Sequence, residues 1–242
     1  MNIQKLSELI YKRKSFRRFS SKAVDSHTVE DILRFANEAK PLFPEIRVKF
    51  EIENKENIKS ILPFIPRQVI AFYSDDKEGC RENTGFILQQ VDLYVQSLGL
   101  GSCWIGSARI EKDEKRSDGL RYIIMLAFGH PKSELRSDVS QFRRKKLQAI
   151  SENSDEYLEP ARLAPSSSNT QPWYFIREGE MFNAYCTKHG FSKNKPVTGI
   201  NRIDMGIAFA HMYVTNPGTF EFFKAENTRE IDGYEYIGSF TI

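Results

Sequence analysis

No two cysteines in this chain are spaced as a redox or metal motif. Cys80, Cys103 and Cys186 are three in 242 residues. An odd, scattered set excludes a disulfide-stapled scaffold and points to free thiols in a reducing compartment. Histidine is scarce too: there are four, none placed as a ligand pair, so no metal is expected. An excess of one charge sign is also missing. With 35 basic against 32 acidic residues, the net charge of +3 is too small to suggest a nucleic-acid partner. No apolar run approaches the roughly 20 residues that cross a bilayer. The opening MNIQKLSELIYKRK is amphipathic and has no signal-peptide centre. The expectation is a cytoplasmic protein that binds neither nucleic acid nor membrane.

What is present suits a compact core, since 40% of residues are hydrophobic and 12% aromatic, enough for one or two domains. Ile3, Leu6, Leu9 and Ile10 put an apolar face on a first helix, and Val29, Ile32, Leu33 and Ala36 do so for a second. Val48, Phe50 and Ile52 alternate with charged residues, the pattern of a half-buried strand. Residues 69–73 read as a short buried strand. The stretch 122–128 (YIIMLAF), apolar throughout, reads as a central strand covered on both faces. Between them, 86–98 is a long apolar helix ending at Gly99, where glycine accepts a left-handed terminal conformation. Residues 133–146, polar and without a period, read as a linker.

Beyond that linker the order begins again. A helix runs through Leu158, followed by strands at 173–176 and near 182–185, a helix around 204–214 and a last strand near 234–240. The segment 35–52 (FANEAKPLFPEIRVKFEI) matches 159–176 (EPARLAPSSSNTQPWYFI) in pattern, with Ala39 opposite Ala164 and Phe50 opposite Phe175. The helix after Gly85 likewise resembles the helix after Gly206. The chain therefore reads as a weak internal repeat, with halves at 1–140 and 141–242.

Four segments carry candidate chemistry. In 13–19 (RKSFRRF), Arg13, Ser15 and Arg17 alternate, so an extended backbone aims them the same way. Guanidinium forks bind phosphate oxygens two at a time. The run 143–146 (RRKK) adds charge, although such runs are more often solvated faces. The turn 99–106 (GLGSCWIG) lets backbone approach a flat ligand through its glycines. The stretch 161–175 (ARLAPSSSNTQPWYF) sets a hydroxyl- and amide-rich turn between a helix and a strand. Taken alone, its serines would only satisfy neighbouring backbone groups. Cys103 reads as a small buried residue and not as a nucleophile.

Taken together, these segments resemble the FMN-dependent nitroreductase family. The resemblance implies an α+β fold with a central, mostly antiparallel sheet flanked by helices. It also implies FMN as cofactor, NADPH or NADH as electron donor, and ping-pong hydride transfer to a small nitroaromatic or quinone-like acceptor. No side chain then has to act as a general acid or base, because the cofactor carries the chemistry. By the same resemblance Arg13, Ser15 and Arg17, with Arg144 and Lys145, hold the flavin phosphate. Gly99, Leu100 and Gly101 bring backbone to the ring, Pro165 fixes the loop, and Ser166, Ser167 and Asn169 meet the ring edge or ribityl chain.

One departure from the family pattern stands out. Family members are typically intertwined homodimers in which the APSxxNxQPW loop follows the Arg motif closely and reaches the partner's site. Here the corresponding place, 39–45 (AKPLFPE), has lost its serines and amide, and the intact loop follows the glycine turn instead. A fused pseudo-dimer explains this order and implies one flavin per chain and a monomer that can function alone. Two other readings are a flavin binder or sensor with little turnover, and a basic module for acidic partners.

Overall fold

The computed structural model describes residues 3–111, 117–188 and 199–242. The chain opens with helices α1 (Gln4–Ile10) and α2 (Ser26–Glu38). Asp25 caps α2 by accepting the Thr28 N–H at 3.0 Å, and Ile32 and Ala36 turn its apolar face into the core. Strand β1 (Val48–Asn54) buries Phe50 and exposes Lys49, as the alternation requires. Short β2 (Ile58–Lys59), β3 (Gln68–Ser74), helix α3 (Cys80–Ser97), β4 (Gly101–Ile105), short β5 (Arg109–Ile110) and β6 (Arg121–Gly129) complete the first half. The second half contains α4 (Glu159–Leu163), β7 (Trp173–Glu178), β8 (Met181–Thr187), α5 (Gly199–Thr215), β9 (Glu221–Phe223) and β10 (Tyr234–Thr241).

Two four-stranded antiparallel sheets result, ordered β1-β3-β6-β4 and β7-β8-β10-β9. The expected apolar strand is indeed interior, since β6 lies between β3 and β4. Each sheet is met in the same order along the chain: two strands, a long helix, then an outer and an inner strand. The two long helices, α3 and α5, are buried along most of their length, and each has a glycine where it meets the other. A β-carbon on Gly85 would stand 2.0 Å from the Ile203 carbonyl oxygen, and one on Gly206 would stand 1.9 Å from that of Glu82. Three residues before each glycine is the carbonyl that the other glycine meets, so the contact is reciprocal.

The equivalence extends to side chains two residues before each glycine. Asn83 Oδ1 accepts the N–H of Leu42 at 2.8 Å and of Phe43 at 3.0 Å. Asp204 accepts the N–H of Ser167 on both oxygens, at 3.0 and 3.1 Å. In each half, a polar side chain on the long helix holds the loop that precedes the first strand of its sheet.

The stretch read as a linker differs from the expectation. Residues 133–146 contain only one short turn, at Val139–Gln141, yet they are strapped down. The Arg136 N–H donates to the Lys12 carbonyl at 2.9 Å, its guanidinium donates to the Arg13 carbonyl, and Phe142 is buried. A polar sequence hides this anchoring because backbone groups and one aromatic ring supply it.

Candidate functional site

Residues after α1 run extended along the edge of the first sheet. Ser15 bridges Ser102 in parallel and Phe19 bridges Pro131. The Phe16 N–H donates to the Ser102 carbonyl at 2.8 Å, and that of Ser20 to His130 at 2.9 Å. With a two-residue period, Phe16 turns into the core while Arg13, Ser15 and Arg17 line one cleft. The structure brings these three residues together along one cleft.

Arg13 is 1% exposed, a position a cation tolerates only with a fixed counter-charge. Asp92, fully buried on α3, supplies it at 3.1 Å from Nε. Asp92 also accepts the Ser102 hydroxyl at 2.6 Å and the Gln89 amide at 3.0 Å. Gln96 ties Ser102 to the Lys14 carbonyl at 2.8 and 3.1 Å. Trp104 Nε1 donates to Gln89 at 3.3 Å. This chain of bonds leaves Arg13 Nη2 buried with no partner among the described residues.

The cleft has a volume of about 510 Å³. Arg136, Arg143 and Arg144 enter it from the 133–146 strap, and Pro165, Ser166, Ser168 and Asn169 enter from the loop before β7. The guanidiniums crowd one another. Burial first, then the charges of Arg13, Arg136 and Arg162, push Arg144 down to about 9. Burial and Arg13 push Arg136 down to about 10. No carboxylate lines the cleft, and of its arginines Arg13 has a counter-charge behind it, in Asp92.

Ser15, Arg17, Pro165, Ser166 and Ser168 also line a narrower hollow of about 130 Å³. There the walls turn apolar, with Trp104 and Ile124 from the first half and Ile203 and Ile207 from α5. Asp204 lies at this end, and burial raises its carboxyl well above the usual range, against the pull of the Ser167 N–H. Cys103 lies here too, and burial pushes its thiol up although Arg17 and Arg13 oppose this. It stays a thiol, as the sequence suggested.

The polar loop is a strained and heavily anchored turn. Ser168, Asn169 and Gln171 have φ of +49°, +58° and +50°, a left-handed conformation that Asn tolerates best among ordinary residues. Asn169 donates to the Arg143 carbonyl at 2.8 Å and accepts from Arg144 at 2.7 Å. Gln171 N–H donates to the Ser166 hydroxyl at 2.9 Å, which ties that oxygen into the turn and leaves its O–H able to donate. Several bonds hold these three residues in that conformation.

Not every expected residue reaches the cleft. Gly99, Leu100 and Gly101 do not line it. Gly99 ends α3 with φ of +77° and has open space where a side chain would point. Leu100 is buried in the core. Gly101 already belongs to β4, and a β-carbon there would stand 2.7 Å from Phe16 Cγ. This glycine therefore makes room for the extended Arg segment, not for a ligand. Lys145 is occupied as well: its Nζ donates to the Gln171 carbonyl at 2.8 Å and its N–H to Gln171 Oε1 at 2.6 Å.

Several lining residues escaped the sequence reading, Arg136, Arg143, Trp104 and Asp204 among them. Arg143 stood in the flagged basic run. Asp204 was findable through the repeat, as the counterpart of Asn83. Arg136 gave no sequence signal, because only the strap brings it in, and Trp104 stood in the flagged glycine turn but is aimed by the β4 register.

The mirror position in the first half is different. The Phe43 ring meets Phe222 edge-on at 5.5 Å, and Phe222 meets Phe209 at 5.2 Å. Aromatic rings stand where the second half has serines. Among the described residues there is no cluster of metal-ligating side chains and no helix long and apolar enough to cross a membrane.

A family model described as "Putative TM nitroreductase" matches residues 5–216. The chain is similar to a crystal structure of "a putative nitroreductase" from Thermotoga maritima, with 20% identity and a TM-score of 0.62 over 99% of this chain and 92% of that one. An FMN-dependent nitroreductase from Clostridium difficile shows 18% identity and a TM-score of 0.43 over 58% of this chain and 94% of that one. No curated protein matches. The fold is α+β and nitroreductase-like.

Proposed function

The chain belongs to the nitroreductase family, and from that premise we propose that it is an FMN-dependent NAD(P)H oxidoreductase acting on small nitroaromatic or quinone-like acceptors. One flavin would sit between the halves 1–140 and 141–242. The observation that carries this reading is the meeting of Arg13, Arg136, Arg143 and Arg144 with the 165–169 loop in a single cleft.

The residues present suit the cofactor. A phosphate carries about two negative charges and several acceptor oxygens, and the cleft offers crowded guanidiniums, one of them with a buried unpaired Nη2. Charge-assisted bonds of this kind contribute about 1.5–3 kcal/mol each. Next to them, the hollow between Trp104, Ile203 and Ile207 offers apolar walls suited to a flat ring. Bound flavin supplies hydride acceptance and donation. The chain's own groups bind and orient. Asp92 fixes Arg13, Asn169 fixes Arg144, and Asp204 pins the loop through the Ser167 N–H.

Support for a pseudo-dimer comes from the shared strand order, the reciprocal glycine contact and the Asn83–Asp204 correspondence. The aromatic rings at the mirror position favour one flavin per chain.

The test is the visible spectrum of protein purified without added cofactor, repeated after anaerobic NADPH or NADH. Flavin bands that bleach are expected. Bands that persist would reduce the protein to a flavin binder, and a colourless protein that refuses added FMN would overturn the reading.

A further inference from the structure

Beyond Arg17 lies a groove of about 550 Å³ that the flavin cleft does not account for. Five cations line it, Arg17, Arg18, Lys55, Arg67 and Lys132, and no carboxylate does. None of the five has an ion-pair partner among the described residues, although carboxylates elsewhere on the surface are taken up in pairs such as Arg47–Asp75 and Arg121–Asp76. Their positions are set by backbone bonds, which leave the side chains free. Lys55 N–H donates to the Arg67 carbonyl at 3.0 Å, and Lys132 N–H to that of Arg18 at 3.1 Å. The two bonds bring four cations together two by two. Phe64 and Phe19 add ring surface to the same groove, with Pro63 and Pro66 stiffening the wall.

Like charges gathered in a groove raise the local anion concentration and cost self-repulsion until an anion arrives. Cations beside apolar rings suit a phosphorylated nucleoside, with phosphate on the guanidiniums and base on the rings. The volume is that of a small-molecule site, and a net charge of only +3 argues against a polymer. Arg17 lines this groove and both parts of the flavin cleft, so a ligand reaching the ring can extend past Arg17 into the groove.

We propose that this groove binds the 2′-phosphoadenosine end of NADPH and thereby makes NADPH the preferred donor. The assignment rests on the reductase reading for the hydride step, while the groove itself can be tested without it. NADH has the same ring, ribose and pyrophosphate but lacks the 2′-phosphate. The extra anion is the chemical difference that five unpaired cations are built to sense.

The experiment uses the flavin-loaded full chain and the variant K55Q/R67Q/K132Q, whose three side chains are exposed and make no ion pair among the described residues. Calorimetric titration with adenosine 2′,5′-bisphosphate, adenosine 3′,5′-bisphosphate and 5′-AMP reads the groove directly, and steady-state reduction with NADPH and NADH reads its consequence. The expected result is tightest binding of the 2′,5′-bisphosphate. The triple variant should lose at least about tenfold of that affinity and raise the NADPH KM by a similar factor, with the NADH kcat/KM unchanged. Equal affinity for the 2′,5′-bisphosphate and 5′-AMP would overturn the proposal, as would an unchanged affinity in the variant. Equal affinity for the 2′,5′ and 3′,5′ isomers would also overturn it, since it would mark a general nucleotide site. If NADH and NADPH bleach the flavin equally well and the bisphosphate does not bind, the groove assignment falls and the reductase reading stands. If the protein takes no flavin, the reductase reading falls, and the variant's titration still decides the groove.

Discussion

Arg13 must satisfy both the core and the cleft. Its guanidinium lies against buried Asp92 at 3.1 Å, so removing it strands a carboxylate in the interior, a loss of about 3–5 kcal/mol. The same group faces the cleft with Nη2 unpaired. Arg13→Ala should therefore lower urea stability by about 3 kcal/mol and weaken flavin binding by about tenfold or more. Arg13→Ala combined with Asp92→Asn should recover much of the stability and none of the flavin affinity. Recovery of both would place Arg13 outside the flavin site. The alternation of Arg13, Ser15 and Arg17 was legible because a two-residue period needs no tertiary information. The glycines misled because their lack of a side chain serves Phe16 at Gly101 and the helix end at Gly99, and a sequence does not say which neighbour a glycine makes room for.

His211 gives a pH prediction at the same scale. It is buried on α5, with Nδ1 2.8 Å from the Pro160 carbonyl. Burial, aided by the charges of Arg13 and Arg144 and opposed by the Pro160 bond, pushes it down to about 3. An unfolded histidine titrates near about 6.5, so between those values the unfolded chain holds the extra proton. Its contribution to stability is whole above about 6.5 and falls as pH drops toward about 3, by up to about 1.4 kcal/mol per pH unit. His211→Gln can keep a donor toward Pro160 and removes the titration. Urea unfolding of wild type and variant between pH 6.5 and 4.5 should show the steeper decline in wild type, and parallel curves would refute this account. Asp204 works in the opposite direction: its raised carboxyl contributes below the unfolded value and loses that contribution as pH rises through the folded one.

At the scale of elements, the α3–α5 crossing decides whether the halves can meet. Backbone lies against backbone at Gly85 and Gly206, with no room for a methyl group. Gly85→Ala and Gly206→Ala should each destabilise the chain by about 3 kcal/mol or more, through separation of the two helices. Denaturant midpoints read this directly. A loss below about 1 kcal/mol in either variant would mean the crossing adjusts freely. Periodicity exposed most of the long elements, because a buried face is written in the spacing of apolar residues. It missed β4, whose GSCWI reads as part of a turn, and β9, whose three residues hold no period. It also took 133–146 for slack chain, where bonds to Lys12 and Arg13 make a strap that brings Arg136, Arg143 and Arg144 to the cleft.

For the whole molecule, the prediction is one flavin per chain. The serine loop faces the Arg segment on one side of the crossing, while Phe43, Phe222 and Phe209 stand on the other. Native mass spectrometry of FMN-saturated protein should give one equivalent per chain at every concentration, and two would refute the asymmetric site. Asn169→Ala should weaken that flavin although Asn169 and Arg13 lie in opposite halves, because Asn169 orients Arg144 at 2.7 Å.

By itself, the sequence determined the local terms: which stretches bury an apolar face, where Gly99 stops a helix, and which residues carry positive charge at a two-residue period. Most of the order of strands and helices along the chain was readable as well, since each long element leaves its spacing in the sequence. Only the tertiary structure decided the site. It turned the 165–169 loop toward Arg13 and Arg17, tied Lys145 and the Ser166 oxygen into internal bonds, recruited Arg136 from the strap and put Phe43 against Phe222 away from the cleft. Those outcomes depend on packing between residues far apart in the chain, where backbone approach at two glycines and the cost of burying Arg13 without Asp92 outweigh local preference.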